Sequence, residues 1–312
     1  MPIATSRACP FKCNFCSMHV THGRKFRPRT TETVLEEMKV LYYDHGIRYF
    51  RIIDDCSTFQ KQTSMELFGT IAASDMDVSF EFYNGLSIRT LDDELIDTIV
   101  EAGLLRASLA IETGSESLRN NIMKKRLSNE KIYEVYNHIN NKHPHVWLEG
   151  LFIVGLPEET VETLEDTIAM IEVMKANLQP VLNILVPYPA TAVWDQCIKD
   201  DLLLVDTDNL WKRALRVSPP TLQSTELNQS DWCDDDFQIL ENIFIVKPYN
   251  LSLELLSEYY KKLLILKAEC MQNIVNRFKS NVIHSTANRG IMEKHIPIQT
   301  EKHIPIRTSG VV

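Results

Sequence analysis

Three cysteines stand close to the start of the chain, in Thr5-Ser6-Arg7-Ala8-Cys9-Pro10-Phe11-Lys12-Cys13-Asn14-Phe15-Cys16-Ser17, a C-x3-C-x2-C spacing with Phe15 immediately before the third. Thiolates are the ligands that soft iron–sulfur and zinc centres select, and three in one short loop can converge on one inorganic centre. A cubane cluster has four irons, so three cysteines would leave one iron open to a substrate or cofactor. A structural zinc site is the rival chemistry, with His19 or His22 as fourth ligand, and the Cys16-Ser17-Met18-His19 spacing permits it. A disulfide is disfavoured, because the residues before Cys9 do not read as a secretory leader.

Composition narrows the rest. A chain of 312 residues with 44% hydrophobic and 24% charged residues can bury a core of one large or two smaller domains. A net charge of −9 argues against a general electrostatic grip on nucleic acid or an anionic membrane. No stretch is apolar over the length that a bilayer demands, so no membrane span is expected. Seven cysteines without a secretory context fit the cytoplasm. Cys56, Cys197, Cys233 and Cys270 are scattered and read as small buried hydrophobes.

The remaining chain must position the cysteine loop. Residues 2–6 read as a strand that feeds it, and Pro28 forbids a helix through the basic stretch 23–29. One unit then recurs. Thr30 and Thr31 offer N-caps to a helix carrying Val34, Leu35, Met38 and Leu41 that ends at Gly46; a strand over 48–53 stops at Asp54-Asp55. Met65, Leu67, Phe68 and Ile71 mark a helix, followed by a strand over 78–83 that ends at Asn84-Gly85. Thr90 with Asp93 caps a helix closed by Gly103, and a strand over 106–111 leads into Glu112-Thr113-Gly114-Ser115-Glu116. Ser128 starts a helix through Ile139, and the apolar strand 146–154 breaks at Gly155-Leu156-Pro157. Thr160 caps a helix to about residue 176, and a strand over 181–186 stops at Pro187-Tyr188-Pro189. Alternating apolar strands and amphipathic helices predict a parallel α/β sheet, which periodicity alone allows to be either doubly wound or curled into a barrel.

Beyond residue 200 the pattern changes. Residues 200–226 are irregular around Pro219-Pro220, Asp234-Asp235-Asp236 suits a helix N-terminus ahead of Phe237 and Ile239, and 251–279 reads as one or two helices. The repeat Glu293-Lys294-His295-Ile296-Pro297-Ile298-Gln299-Thr300 and Glu301-Lys302-His303-Ile304-Pro305-Ile306-Arg307-Thr308 is too short for a solenoid. The expected organisation is therefore a strand–helix domain over 1–200, a mostly helical extension over 201–280 and a disordered tail over 281–312.

The cysteine loop, with the ordered series Asp54-Asp55, Ile111 to Glu116, Gly155-Leu156-Pro157-Glu158-Glu159 and Pro187-Tyr188-Pro189-Ala190-Thr191, resembles the radical SAM superfamily from about residue 2 to residue 194. The resemblance implies a partial (β/α)6 TIM-type barrel with a helical C-terminal extension. It implies a 4Fe–4S cluster on Cys9, Cys13 and Cys16, whose open iron chelates S-adenosylmethionine (SAM), and reductive cleavage to a 5′-deoxyadenosyl radical. It implies SAM contacts from Phe15 beside adenine, Asp54 and Asp55 at the amino group, Glu112 with Ser115 behind it at the ribose or carboxylate, and the Gly155-Leu156 turn at the adenine. It implies an external electron donor of flavodoxin or ferredoxin type.

The flavour is that of members carrying a cobalamin-binding domain before the barrel, among them methyltransferases and ring-forming cyclases. Only eight residues precede Cys9 and no Asp-x-His-x-x-Gly stretch is present, so cobalamin is expected only through a partner chain. The substrate, a small molecule or peptide, is not named by the residues. Two rival readings stand beside the enzyme: a non-catalytic metal module holding zinc or a structural cluster, and a subunit inactive without a separate cobalamin-binding partner.

Overall fold

A computed structural model describes residues 1–207 and 244–285, with side chains through residue 277. The chain divides into two compact units, Met1–Ile274 and Val275–Val312, and the first carries everything below. The expected helix after Asp234-Asp235-Asp236, Cys233, the irregular Pro219-Pro220 region and the duplicated tail lie outside the described residues.

The chain opens with β1 (Pro2–Ile3), β2 (Ser6–Arg7), α1 (Met18–Thr21) and β3 (Arg27–Pro28), then alternates regularly. Helix α2 (Thr31–Tyr43) leads to β4 (Tyr49–Ile52), α3 (Lys61–Ala72) to β5 (Ser79–Leu86), and α4 (Asp93–Glu101) to β6 (Leu104–Glu112). Helix α5 (Asn129–Lys142) leads to β7 (Trp147–Val154) and α6 (Val161–Met174) to β8 (Leu178–Ile184), followed by α7 (Ala192–Lys199) and α8 (Leu253–Ser285). Six strands pair in the order β1-β4-β5-β6-β7-β8, every pair parallel. Each unit therefore steps one place in the same direction, which is the winding of a partial barrel with β1 and β8 as its edges. Strands β2 and β3 form a separate antiparallel pair beside the cysteine loop.

Period-two alternation sorts the sheet faces. Phe50, Phe80, Phe82, Leu109 and Phe152 are buried toward the helices, where Phe68 of α3 stacks on Phe80 with centroids 5.5 Å apart. The opposite face departs from the apolar interior that the strands suggest. Arg51 Nε donates to Glu81 Oε1 at 2.6 Å, Arg106 pairs with both Glu81 and Glu149, and Ser108 Oγ donates to Glu149 Oε2 at 2.7 Å. Buried carboxylates are tolerated there because each has a cationic and hydrogen-bonded partner.

Helix starts follow the capping rule. Thr30, Ser128, Thr160 and Thr191 each accept a backbone N–H three residues on. The start of α4 differs from expectation: Asp92 is the cap, accepting from Leu95 N at 3.0 Å, while Thr90 closes a 3-10 turn and donates to Ser87 O. Strand β5 also runs past Asn84-Gly85, because Gly85 at φ +90° absorbs a register shift and lets pairing resume at Leu86. Helix α8 lies along α6, with Tyr259 Oη donating to Glu165 and Asn273 Nδ2 to the Lys175 carbonyl. Its Leu256, Tyr260, Leu263 and Cys270 join the main core.

Candidate active site

The C-terminal ends of β1 and β4 sit side by side, so the cysteine loop leaves the sheet next to Asp54-Asp55. Buried Asp54 accepts from Thr5 N (2.7 Å), Thr5 Oγ (2.6 Å) and Ser6 Oγ (2.5 Å), three bonds that fix the approach to the loop. Burial nonetheless raises its pKa above the ordinary carboxylate value. Asp55 accepts from Ala8 N at 2.9 Å and lies 2.7 Å from His22 Nδ1. The first of those bonds holds Ala8 at φ +74°, a left-handed backbone that a residue with a Cβ rarely adopts, directly before Cys9.

Cys9, Cys13 and Cys16 are half-buried, and Cys16 N donates to Cys13 O at 3.4 Å to close the turn between them. The Cys9 thiol is hydrogen-bonded with Cys56, which brings it down to about 7 against the opposing effect of burial. Burial pushes Cys13 up to about 11 and raises Cys16 as well. A bound metal centre would take those protons off, since a coordinating thiol is deprotonated outright. Cys197 and Cys270 are the buried hydrophobes expected of them, whereas Cys56 faces the loop.

One cation acts electrostatically on Cys9, Cys13, Cys16 and Cys56 alike: the ammonium of Lys125. Its partner is Glu112, which ends β6 at φ +76°, and both side chains of the pair are 9% exposed. Lys125 returns to Glu112 through a turn built on the π-helical residues Leu118–Ile122 and on Lys124 and Arg126, both in the left-handed region. Fully buried Arg119 staples that turn. It donates to the carbonyls of Thr113 (2.8 Å) and Leu127 (2.8 Å) and to Asn129 Oδ1 (2.5 Å). Gly114 is required by packing, since a Cβ there would stand 2.2 Å from the Asp166 carbonyl of α6.

The loop is tied to this turn and to α7 through one residue. Asn14 N donates to Met123 O at 3.2 Å and Asn14 O accepts from Val193 N at 3.3 Å. Asn14 Oδ1 is buried without a protein partner, an acceptor facing no donor of its own chain. Phe15 packs against the apolar cluster that contains Met123, Leu156, Leu185 and Val193. Gly155 turns the chain after β7 at φ +90°. Its N–H and that of Leu156 donate to Glu159 Oε2 at 2.9 and 3.3 Å, and burial pushes this carboxyl up to about 7.

The structure thus gathers the three cysteines, Asp54, Asp55 and Glu112 around one loop and brings Phe15 and Leu156 into one cluster. Ser115 sits apart in role: buried in the stapled turn, it donates its N–H to Thr113 Oγ and accepts from Arg119 N. His19 Nδ1 lies on the Cys16 carbonyl and His22 Nδ1 on Asp55, so neither imidazole offers that nitrogen to the thiols. Sequence reasoning missed Lys125 and Arg119. The signal for Lys125 was the basic run Lys124-Lys125-Arg126 in a segment without apolar periodicity, between β6 and the Ser128 cap; Arg119, alone ahead of it, carried none.

The donor set suits an iron–sulfur cluster with a zwitterionic ligand: three thiols on one loop, a buried ion pair within electrostatic reach of them and an unsatisfied acceptor in the loop. The family model of the radical SAM superfamily matches residues 3–171, more than half of the chain. The chain belongs to the radical SAM superfamily.

Among relatives of this radical SAM chain is an uncharacterized methyltransferase of Pyrococcus horikoshii, 29% identical over 217 residues, which are 70% of this chain and 45% of the relative. The cytidylyl-2-hydroxyethylphosphonate methyltransferase of Streptomyces wedmorensis is 31% identical over 49% of this chain and 28% of its own length. The anaerobic magnesium-protoporphyrin IX monomethyl ester cyclase of Rubrivivax gelatinosus is 29% identical over 53% and 29%. The chain spans less than half the length of these relatives. The radical SAM methyltransferase TsrM of Kitasatospora setae, solved with tryptophan and a SAM analogue, aligns with a TM-score of 0.57 at 17% identity. That alignment covers 64% of this chain and 38% of TsrM, a likeness of fold. Family membership implies iron–sulfur and SAM binding. Among the described residues, no helix is long and apolar enough to cross a membrane.

Proposed function

We propose that Cys9, Cys13 and Cys16 hold a 4Fe–4S cluster and that the chain cleaves SAM reductively. The observation that carries this reading is the placement of Cys9, Cys13 and Cys16 on one half-buried loop at the C-terminal end of the sheet, within electrostatic reach of the Lys125 ammonium. When bound, the reduced cluster with SAM supplies the 5′-deoxyadenosyl radical. The chain's own residues bind, orient and shield. Glu112 and Lys125 present opposite charges to the amino-acid end of SAM, which is itself a zwitterion. Phe15 and Leu156 form an apolar wall for the adenine, and the Asn14 Oδ1 acceptor takes a donor from the ligand. Asp54 and Asp55 act as positioning residues, holding both sides of Ala8 so that Cys9 starts the loop in a fixed direction.

The reaction class we assign is methyl transfer or ring closure, because the relatives above are named methyltransferases and a cyclase. A flavodoxin- or ferredoxin-like donor supplies the electron. The solved OxsB structure, aligned at a TM-score of 0.53 over 84% of this chain and 41% of its own, is described as cobalamin-dependent with aqua-cobalamin and SAM bound. It favours cobalamin as the further cofactor.

Anaerobic reconstitution with iron and sulfide, reduction with dithionite and assay of 5′-deoxyadenosine test the reading, with Cys13→Ala alongside. Deoxyadenosine from the wild type alone is the expected result. Stoichiometric zinc with no iron cluster would overturn it in favour of a structural metal module. An intact cluster and deoxyadenosine without product, cured by a cobalamin-loaded partner, is the result expected of the two-chain arrangement.

A further inference from the structure

A second constellation of metal-binding side chains lies in the outer helical layer. Helix α4 presents Asp93 and Asp97 one turn apart, α5 presents His138, and His143 caps the end of α5. His138 Nε2 stands 2.8 Å and His143 Nε2 2.6 Å from the same oxygen, Asp97 Oδ1. One donor atom from each of these three residues lies within 4.8 Å of the others, the single set of its kind among the described residues. The two rings are 5.8 Å apart by centroid, and His145 stacks edge-on against His143 at 6.2 Å.

We propose that Asp97, His138 and His143 bind a divalent transition metal of zinc type, clipping α4 to α5. Two imidazoles and one carboxylate are the donor set that zinc takes when a fourth position is left to water or another ligand. The arrangement has the outer support that metal-bound histidines need. His138 Nδ1 lies 3.3 Å from Asp93 Oδ1, where the carboxylate can hold the Nδ1 proton once Nε2 gives up its own to a metal. Burial favours order, since the imidazoles of His138 and His143 are 15% and 13% exposed and Asp97 is 32% exposed. Lys142 occupies the other oxygen, Asp97 Oδ2, at 2.7 Å, so it neutralises the carboxylate without standing between the imidazoles.

The site is far from the cysteine loop in topology. His143 closes a helix at the N-terminal side of β7, whereas the cysteines follow the C-terminal end of β1. A metal here would act on the scaffold. It would join two successive strand–helix units whose direct link otherwise includes the Asp97 hydrogen bonds.

Cobalt(II) is the probe, added to the full chain with its cysteine loop occupied by iron and sulfide. One equivalent is expected to bind with nitrogen and oxygen ligand-field bands and no thiolate charge transfer. That band set should disappear in the His138→Ala/His143→Ala double variant, which should keep its iron content. Asp93→Asn should weaken binding by about 10- to 100-fold, as loss of an outer-shell partner does. Cobalt retained by the double variant, or no nitrogen-ligated cobalt on the wild type, would overturn the proposal. Zinc should raise the melting temperature of the wild type and leave that of the double variant unchanged; an equal rise in both would count against the site. A failed cluster reconstitution would speak to the cysteine loop alone, since the cobalt readout can be repeated in a Cys9→Ala/Cys13→Ala/Cys16→Ala chain.

Discussion

The Lys125 ammonium rests on the Glu112 carboxylate inside the fold, thirteen residues away along the chain and 9% exposed on either side. Removing one partner leaves a buried charge with nothing to balance it. Lys125→Ala is expected to cost about 3–5 kcal/mol in a denaturant melt. A Lys125→Met/Glu112→Leu chain should recover much of that stability and still fail to bind SAM. Full SAM affinity in the double variant would reduce the pair to a structural role.

Asp54 spends both oxygens on Thr5 and Ser6. Asp54→Asn keeps an acceptor for Thr5 N, whereas Asp54→Ala keeps none. Iron per chain after reconstitution should therefore fall steeply in the alanine variant and only partly in the asparagine one. Equal loading of all three proteins would show that the loop finds its direction without this carboxylate.

Glu159 supplies a pH dependence. Its folded pKa of about 7 lies above the ordinary 4.5, so the folded chain holds a proton there that the unfolded chain releases. The stabilising effect is complete below about pH 4.5 and is lost as pH rises through 7, a change of about 3 kcal/mol. Stability of wild type minus that of Glu159→Gln, measured by urea melts across pH 4.5–8, should fall over this window. A flat difference would mean that the buried carboxyl ionises as easily as in water.

Gly155→Ala combines a left-handed backbone, φ +90°, with a Cβ 3.2 Å from the Phe244 ring. A loss of about 1–3 kcal/mol is expected. SAM affinity should fall with it, because the turn sets Leu156 in the Phe15 cluster. Unchanged affinity in a destabilised variant would separate this turn from the adenine site.

Most of the scaffold was legible because its signals are local. Apolar periodicity, Thr and Ser caps and glycine stops marked six strands in order, and the C-x3-C-x2-C loop stood out by ligand type alone. The misses have a common cause. Asp92 overtook Thr90 because a 3-10 turn intervened, a choice made by backbone geometry that spacing does not encode. Lys125 and Arg119 act through a π-helical turn and two left-handed residues, none of which carries the glycine that would announce it. The charged ladder of Arg51, Glu81, Arg106 and Glu149 hid within strands because paired charges look like solvent-facing residues until their partners are placed. Ser115 bonds within the turn, to Thr113 and Arg119, a use that a Gly-Ser pair after a strand does not announce.

Asn14 joins the cysteine loop at once to Met123 and to Val193. The seat of the loop is therefore completed by residues made long after the cysteines themselves. At about 5–20 residues per second of synthesis, the ~180 residues between Asn14 and Val193 take roughly 10–35 s to appear. Throughout that interval the thiols leave the ribosome without their pocket, exposed to oxidants and stray metals. If the loop takes iron and sulfur as proposed, their delivery comes late in the making of the chain, or is guarded until α7 has emerged.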